Sequence, residues 1–165
     1  MIDLSRKFKN FGPLELLVIS SLAYVIIMLI WTASTRSAVV QKANDIKFNH
    51  KTVVEFINNE VSECSSNENG KTAWGENCNS TWTSSNIVKY ILDNFKLNNP
   101  YKIEKPLIQT SQDPRIQAEG KAGQSTDKGI IFVSESNFES EAGSEWVIGT
   151  CVKSPCVAAG NNELV

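Results

Sequence analysis

The chain has one histidine, His50, and no GxSxG, HExxH or glycine-rich phosphate loop. The motifs that most directly mark hydrolases, metalloproteases and nucleotide-binding enzymes are therefore missing, and the sequence reads as that of a protein that is not an enzyme. A hydrolase built around His50 is the one catalytic alternative. His50 falls on helical spacing among apolar residues, which is the setting of a packed core histidine. An excess of basic residues is also lacking. The formal net charge is -2, and from Ser37 onward acidic residues outnumber basic ones, which argues against a dedicated phosphate-binding surface. The four cysteines form no CxxC and stand beside no HxxxH, so neither a metal site nor a cofactor is implied. No repeat or low-complexity segment interrupts the chain.

Two further absences are informative. No formal charge occurs from Leu16 to Ser34, and no proline or glycine occurs between Pro13 and Glu63. The first makes FGPLELLVISSLAYVIIMLIW a run able to cross a bilayer, which needs roughly 20 apolar residues at 1.5 Å rise. The second lets one helix continue past it, for about 50 residues or some 75 Å. Gly12 at the cap, Pro13 in the first turn and Glu15 near the positive end of the helix dipole mark its start. Beyond the apolar run, Ala43, Ile46, His50, Val53, Ile57, Val61 and Cys64 recur at steps of three and four, with Lys42, Lys47, Lys51, Asn58 and Asn59 elsewhere on the wheel. Arg6, Lys7 and Lys9 precede the run, so the positive-inside rule leaves residues 1–10 in the cytoplasm and exports the rest. A cleaved signal peptide, with Ala33 and Ser37 as weak cleavage candidates, is the competing interpretation.

All four cysteines lie on the exported side, where an oxidising compartment favours disulfides. Their order suggests Cys64 with Cys78 and Cys151 with Cys156, one of three possible connectivities. Residues 65–79 are turn-rich. A short helix follows, capped by Ser84 or Ser85, with Ile87, Val88, Ile91, Leu92 and Phe95 on its apolar face. Lys105 to Thr110 is a candidate strand, Asp113-Pro114 a turn, and Gly120 to Lys128 a polar connection. Gly129 to Ser134 and Trp146 to Val152 are the clearest strands, at hairpin distance around Glu135, Glu139, Glu141 and Glu145. Asn161 to Val165 read as a loosely held end. Trp74, Trp82 and Tyr101 are candidate loop anchors or exposed binding aromatics, and Asn79-Ser80-Thr81 fits a glycosylation acceptor.

Phe11-Gly12-Pro13-Leu14-Glu15 followed by Leu16-Leu17-Val18-Ile19 resembles the start of a type IV pilin or pseudopilin, where a short basic leader precedes Phe-Thr-Leu-Ile-Glu. The Cys151 to Cys156 segment is similar to the family's C-terminal disulfide-bounded region. The resemblance implies an α+β fold, a long helix packed on a C-terminal antiparallel sheet. It divides the chain into a leader (1–10), a membrane or filament-core helix half (11–35) and an exported globular domain (36–165). It also implies cleavage by a prepilin peptidase between Asn10 and Phe11, methylation of the new amine, and pairing of Glu15 with that amine on a neighbouring subunit. Asn10 stands where the family has glycine, and Pro13 where it has an ordinary apolar residue.

The function so implied is structural. Subunits wait in the inner membrane and bundle their apolar helices into an extracellular homo-oligomeric filament, alone or with related pilins. The alternative is an uncleaved, single-pass envelope binding module in which Lys9 pairs with Glu15 as an interfacial anchor.

Overall fold

The computed structural model describes residues 12–67, 69–119, 128–136 and 145–165. The chain is α+β, with helices α1 (Pro13–Ser66), α2 (Ser84–Asn94) and α3 (Pro114–Glu119) and strands β1 (Ile108–Thr110), β2 (Ile131–Ser136), β3 (Glu145–Cys151) and β4 (Asn162–Leu164). It divides into two compact units, residues 1–41 and 42–165.

The first unit is the apolar part of α1, uninterrupted because nothing in it breaks a helix. Its large side chains from Leu14 to Val40 are exposed in the single chain. Helix α1 is long and apolar enough to cross a membrane, by length and composition. Four of its hydroxyls, on Ser20, Ser21, Thr32 and Thr35, bond within the helix. Ser20 donates to the Leu17 carbonyl at 3.0 Å, Ser21 to Val18 at 2.8 Å, and Thr32 to Met28 at 3.0 Å. Lipid would offer no partner for such groups, so their internal bonding is compatible with a bilayer.

In the second unit α1 turns one stripe inward: Ala43, Ile46, Asn49, His50, Val53, Ile57 and Cys64. The expected Val61 is exposed, whereas Asn49 is buried, its Nδ2 donating to the Asn98 carbonyl at 3.3 Å. Ile46, Val53 and Ile57 have almost no exposed surface and form one core with Ile87, Val88 and Ile91 of α2 and Ile108, Ile131, Val133 and Ile148 of the sheet. Each such side chain contributes about 1.5–3 kcal/mol by leaving water. Leu92, expected on the apolar face of α2, is exposed.

The sheet has order β1-β2-β3-β4 and is mixed rather than antiparallel throughout. Strand β1 runs parallel to β2, with Ile108 opposite Ile131, and the crossover that a parallel pair requires contains α3. Helix α3 replaces the expected turn at Asp113-Pro114. Asp113 Oδ1 accepts the N–H groups of Arg115 at 3.0 Å and Ile116 at 3.2 Å, and Pro114 takes the first helical position. Strands β2 and β3 pair antiparallel, so Val133 and Ile148 share the core face while Phe132 and Gly149 share the other. There α3 comes so close that a Cβ on Gly149 would lie 2.5 Å from the Pro114 carbonyl oxygen.

The C-terminal residues also differ from the expected loose end. β4 pairs with β3, Val165 and Ile148 exchange both backbone hydrogen bonds, at 2.7 and 3.0 Å, and Glu163 meets Lys47 of α1 at 2.7 Å. The Gly120 to Asp127 stretch, Glu139 and Glu141 lie outside the described residues.

Candidate functional site

Glu15, the residue the sequence marks for assembly, closes the N-terminus of its own helix. The Gly12 N–H donates to Glu15 Oε2 at 3.0 Å, and the Leu16 N–H to the Gly12 carbonyl at 3.1 Å. This is the backward half of a capping box, with the carboxylate satisfying an amide that the helix leaves over. Pro13 between them has no N–H to satisfy. Asn10 and Phe11, the expected processing and methylation positions, lie outside the described residues.

The cysteines pair as Cys64–Cys78 and Cys151–Cys156. The first bond ties the last turn of α1 to the loop before α2, and within that loop Glu76 gathers donors from three places. Its carboxylate accepts the Trp74 Nε1–H at 2.8 Å, the Thr83 hydroxyl at 2.9 Å and N–H at 3.2 Å, and Asn86 Nδ2 at 2.8 Å. Thr83, not Ser84 or Ser85, is the residue before the first turn of α2, and its own side chain makes no cap bond. Glu76 instead accepts the Thr83 N–H from outside the helix. Burial works against its charge, but the bonds from Asn86, Thr83 and Trp74 outweigh it and hold the carboxyl below its usual range. From the α1 side, Glu60 Oε2 accepts the Ala73 N–H at 2.7 Å.

A chain of rings joins the same elements. Trp146 of β3 stacks on Trp82, with centroids 6.3 Å apart, Trp82 meets Trp74 edge-on at 5.2 Å, and Trp74 meets Phe56 of α1 at 6.1 Å. Phe56 in turn lies parallel to Tyr90 of α2 at 5.6 Å. Trp82 is buried and donates its Nε1–H to the Asn77 carbonyl, so it anchors the loop. Trp74 and Tyr90 stay partly exposed and line an open cleft of about 420 Å³ between residues 73–75 and the outer face of α2. Glu76 and this cleft were not anticipated from the sequence. The only local signal was a tryptophan beside a glycine in a cysteine-closed loop.

His50 is buried in the core. Its Nε2–H donates to the Ile148 carbonyl, 3.4 Å away. Burial lowers its pKa, against smaller upward pulls from that carbonyl and from Glu163, so it stays a neutral strut between α1 and β3. Tyr101 is also an anchor: its hydroxyl donates to the Val152 carbonyl at 2.7 Å, burial raises its pKa, and Lys42 and Lys128 sit 5.8 and 5.5 Å from its ring centre. Gly129 backs this corner with φ +78, and a Cβ there would meet Asn99 Oδ1 at 2.6 Å. The Cys151–Cys156 loop is held by Asn161 Nδ2 on the Pro155 carbonyl at 2.9 Å and Asn162 Nδ2 on the Cys156 carbonyl at 2.7 Å. Among the described residues, no group of three His, Cys, Asp or Glu side chains could hold a metal ion. No known family model, curated protein or solved structure matches the chain.

Proposed function

We propose that the protein is a structural subunit of a filament of the type IV pilus or pseudopilus kind, held in a membrane by the apolar part of α1 before assembly. One observation carries this reading: a single unbroken helix is predominantly apolar and exposed over its first half, with no formal charge from Leu16 to Ser34, and is stapled into a folded α+β unit over its second. An apolar helix of this length needs lipid or other helices around it in water. A filament core built from copies of itself supplies the second solvent, as the bilayer supplies the first. Charge-free packing faces, internally bonded hydroxyls and small residues such as Ser20, Ser21 and Ala23 suit close helix–helix approach.

In this reading residues 1–10 face the cytoplasm, the disulfide-bearing unit is exported to an oxidising compartment, and Glu15 trades its intrahelical bond for the amine of a neighbouring subunit on assembly. The second reading is a permanently anchored envelope module. It draws on the same Glu15 geometry, since a carboxylate already satisfied by the Gly12 N–H can rest at a membrane edge without a neighbour.

The test is assembly in the native cell. Filaments sheared from the surface are expected to contain the chain, and Glu15→Ala is expected to leave it in the membrane fraction with few or no filaments. Sheared material free of the chain, or normal assembly of Glu15→Ala, contradicts the proposed role.

A further inference from the structure

The open cleft beside the Cys64–Cys78 loop has the composition of a small-ligand site, and its parts are held in place by bonds that do not involve the cleft itself. Its aromatic walls are Trp74 and Tyr90. Trp74 is fixed by the Nε1–H bond to Glu76 and by the edges of Phe56 and Trp82, and Tyr90 by stacking on Phe56 with the rings 6° from parallel. Neither ring is free to turn away. The rim is polar, formed by Asn86, Lys89, Asp93 and Asn94 on the exposed side of α2.

The two amides are oriented by the protein. Asn86 Nδ2 is committed to Glu76 Oε1 at 2.8 Å and Asn94 Nδ2 to the Tyr90 carbonyl at 2.9 Å. Each therefore keeps its Oδ1, an acceptor, without a partner among the described residues. Asp93 adds carboxylate acceptors and Lys89 adds donors, and neither is in an ion pair among the described residues. Among the lining residues the charges of these two cancel, and Glu76, behind Asn86 and Trp74, adds one negative charge that disfavours an anion. A volume of about 420 Å³ lies within the roughly 300–1,000 Å³ that ligand sites span.

These properties describe the ligand. One face must be apolar enough to lie on an aromatic ring, whose face is the negative part of its quadrupole and attracts C–H groups. Its edge must carry several hydroxyl donors for fixed acceptors, together with an acceptor for Lys89. It must be uncharged. We propose that this cleft is a saccharide subsite that takes a neutral hexopyranose, with the ring stacked on Tyr90 or Trp74 and the hydroxyls on Asn86, Asp93 and Asn94. A phosphate, a nucleic acid or an acidic sugar does not fit a rim whose acceptors outnumber its cations. The site lies within residues 42–165 and does not depend on whether the chain forms a filament.

The experiment uses the full chain in a zwitterionic detergent without a sugar headgroup. The methyl glycosides of glucose, galactose, mannose and N-acetylglucosamine are titrated at millimolar concentrations, with tryptophan fluorescence and saturation-transfer NMR as readouts. At least one is expected to bind, with little dependence on salt and with transfer strongest to ring C–H protons. Tyr90→Ala is expected to weaken binding about tenfold, the equivalent of one stacking contact, while Tyr90→Phe retains it. Asn94→Ala is on an exposed position outside the core and serves as the variant that keeps its fold; it is expected to weaken the same sugar severalfold. Failure of all four glycosides to bind overturns the proposal. So does binding that neither Tyr90→Ala nor Asn94→Ala alters, or binding that collapses with added salt, the mark of a charged ligand.

Discussion

Glu76 shows how much one side chain does that its neighbours in sequence cannot reveal. It receives donors from positions 74, 83 and 86, and so ties the disulfide loop to the start of α2. Glu76→Gln keeps the shape but replaces a charged acceptor with an amide that has half its acceptor oxygens, and is expected to lower stability by about 1–2 kcal/mol in chemical denaturation. The carboxyl is held below its ordinary 4.5, so the stability it adds is present above that value and is lost as pH falls through the lowered one. His50 acts at a higher pH. The unfolded imidazole takes up a proton near 6.5, whereas the buried one resists it, so stability falls as pH drops below about 6.5 and levels off once the lowered folded value is passed. Denaturation midpoints measured from neutral to acid pH are expected to show this fall in the wild type and to lose its upper step in His50→Gln. A midpoint that stays level across that step in the wild type contradicts the burial of a neutral His50.

At the scale of elements, the two disulfides differ in what they close. Cys64–Cys78 spans 14 residues and joins α1 to the loop before α2, whereas Cys151–Cys156 spans five and closes a turn already held by Asn161 and Asn162. The chain-entropy estimate is about 3 kcal/mol for the longer loop and about 2 kcal/mol for the shorter. Replacing Cys64 and Cys78 by serine is accordingly expected to lower Tm further than replacing Cys151 and Cys156. Gly149→Ala tests the other face of the sheet. Its Cβ meets the Pro114 carbonyl, so α3 must shift, at an expected cost of about 1–3 kcal/mol.

Much of this layer was legible in sequence, for a physical reason. A 3.6-residue period over α1 and α2 and the apolar runs of β2 and β3 are local patterns that burial enforces. What was not legible is what depends on partners. β4 has three residues, too few for a period, and acquires strand character only by pairing, whereas the strand expected over Lys105 to Thr110 is present but shortened to Ile108–Thr110. The parallel setting of β1 follows from the crossover through α3, whose six residues announce themselves only by the Asp113-Pro114 cap, which reads equally well as a turn. Val61 and Leu92 sat on the expected apolar stripes but face solvent, and Asn49 is buried with its Nδ2 on the Asn98 carbonyl, a tertiary bond that no local period announces.

For the whole molecule, the question is what surrounds the exposed apolar half of α1 once the chain has left the ribosome. The bilayer suits it, and so does a bundle of identical helices. The two differ in what must happen at the N-terminus, because a filament subunit of this type pairs Glu15 with an amine that only cleavage before Phe11 creates. Asn10 and Pro13, the positions at which the sequence departs from the pilin pattern, flank that bond. The decisive measurement is the intact mass of the chain purified from its native cell. A filament subunit is expected to lack residues 1–10 and to carry one added methyl group on Phe11. A mass equal to the full sequence contradicts that role and leaves α1 as a permanent membrane stalk.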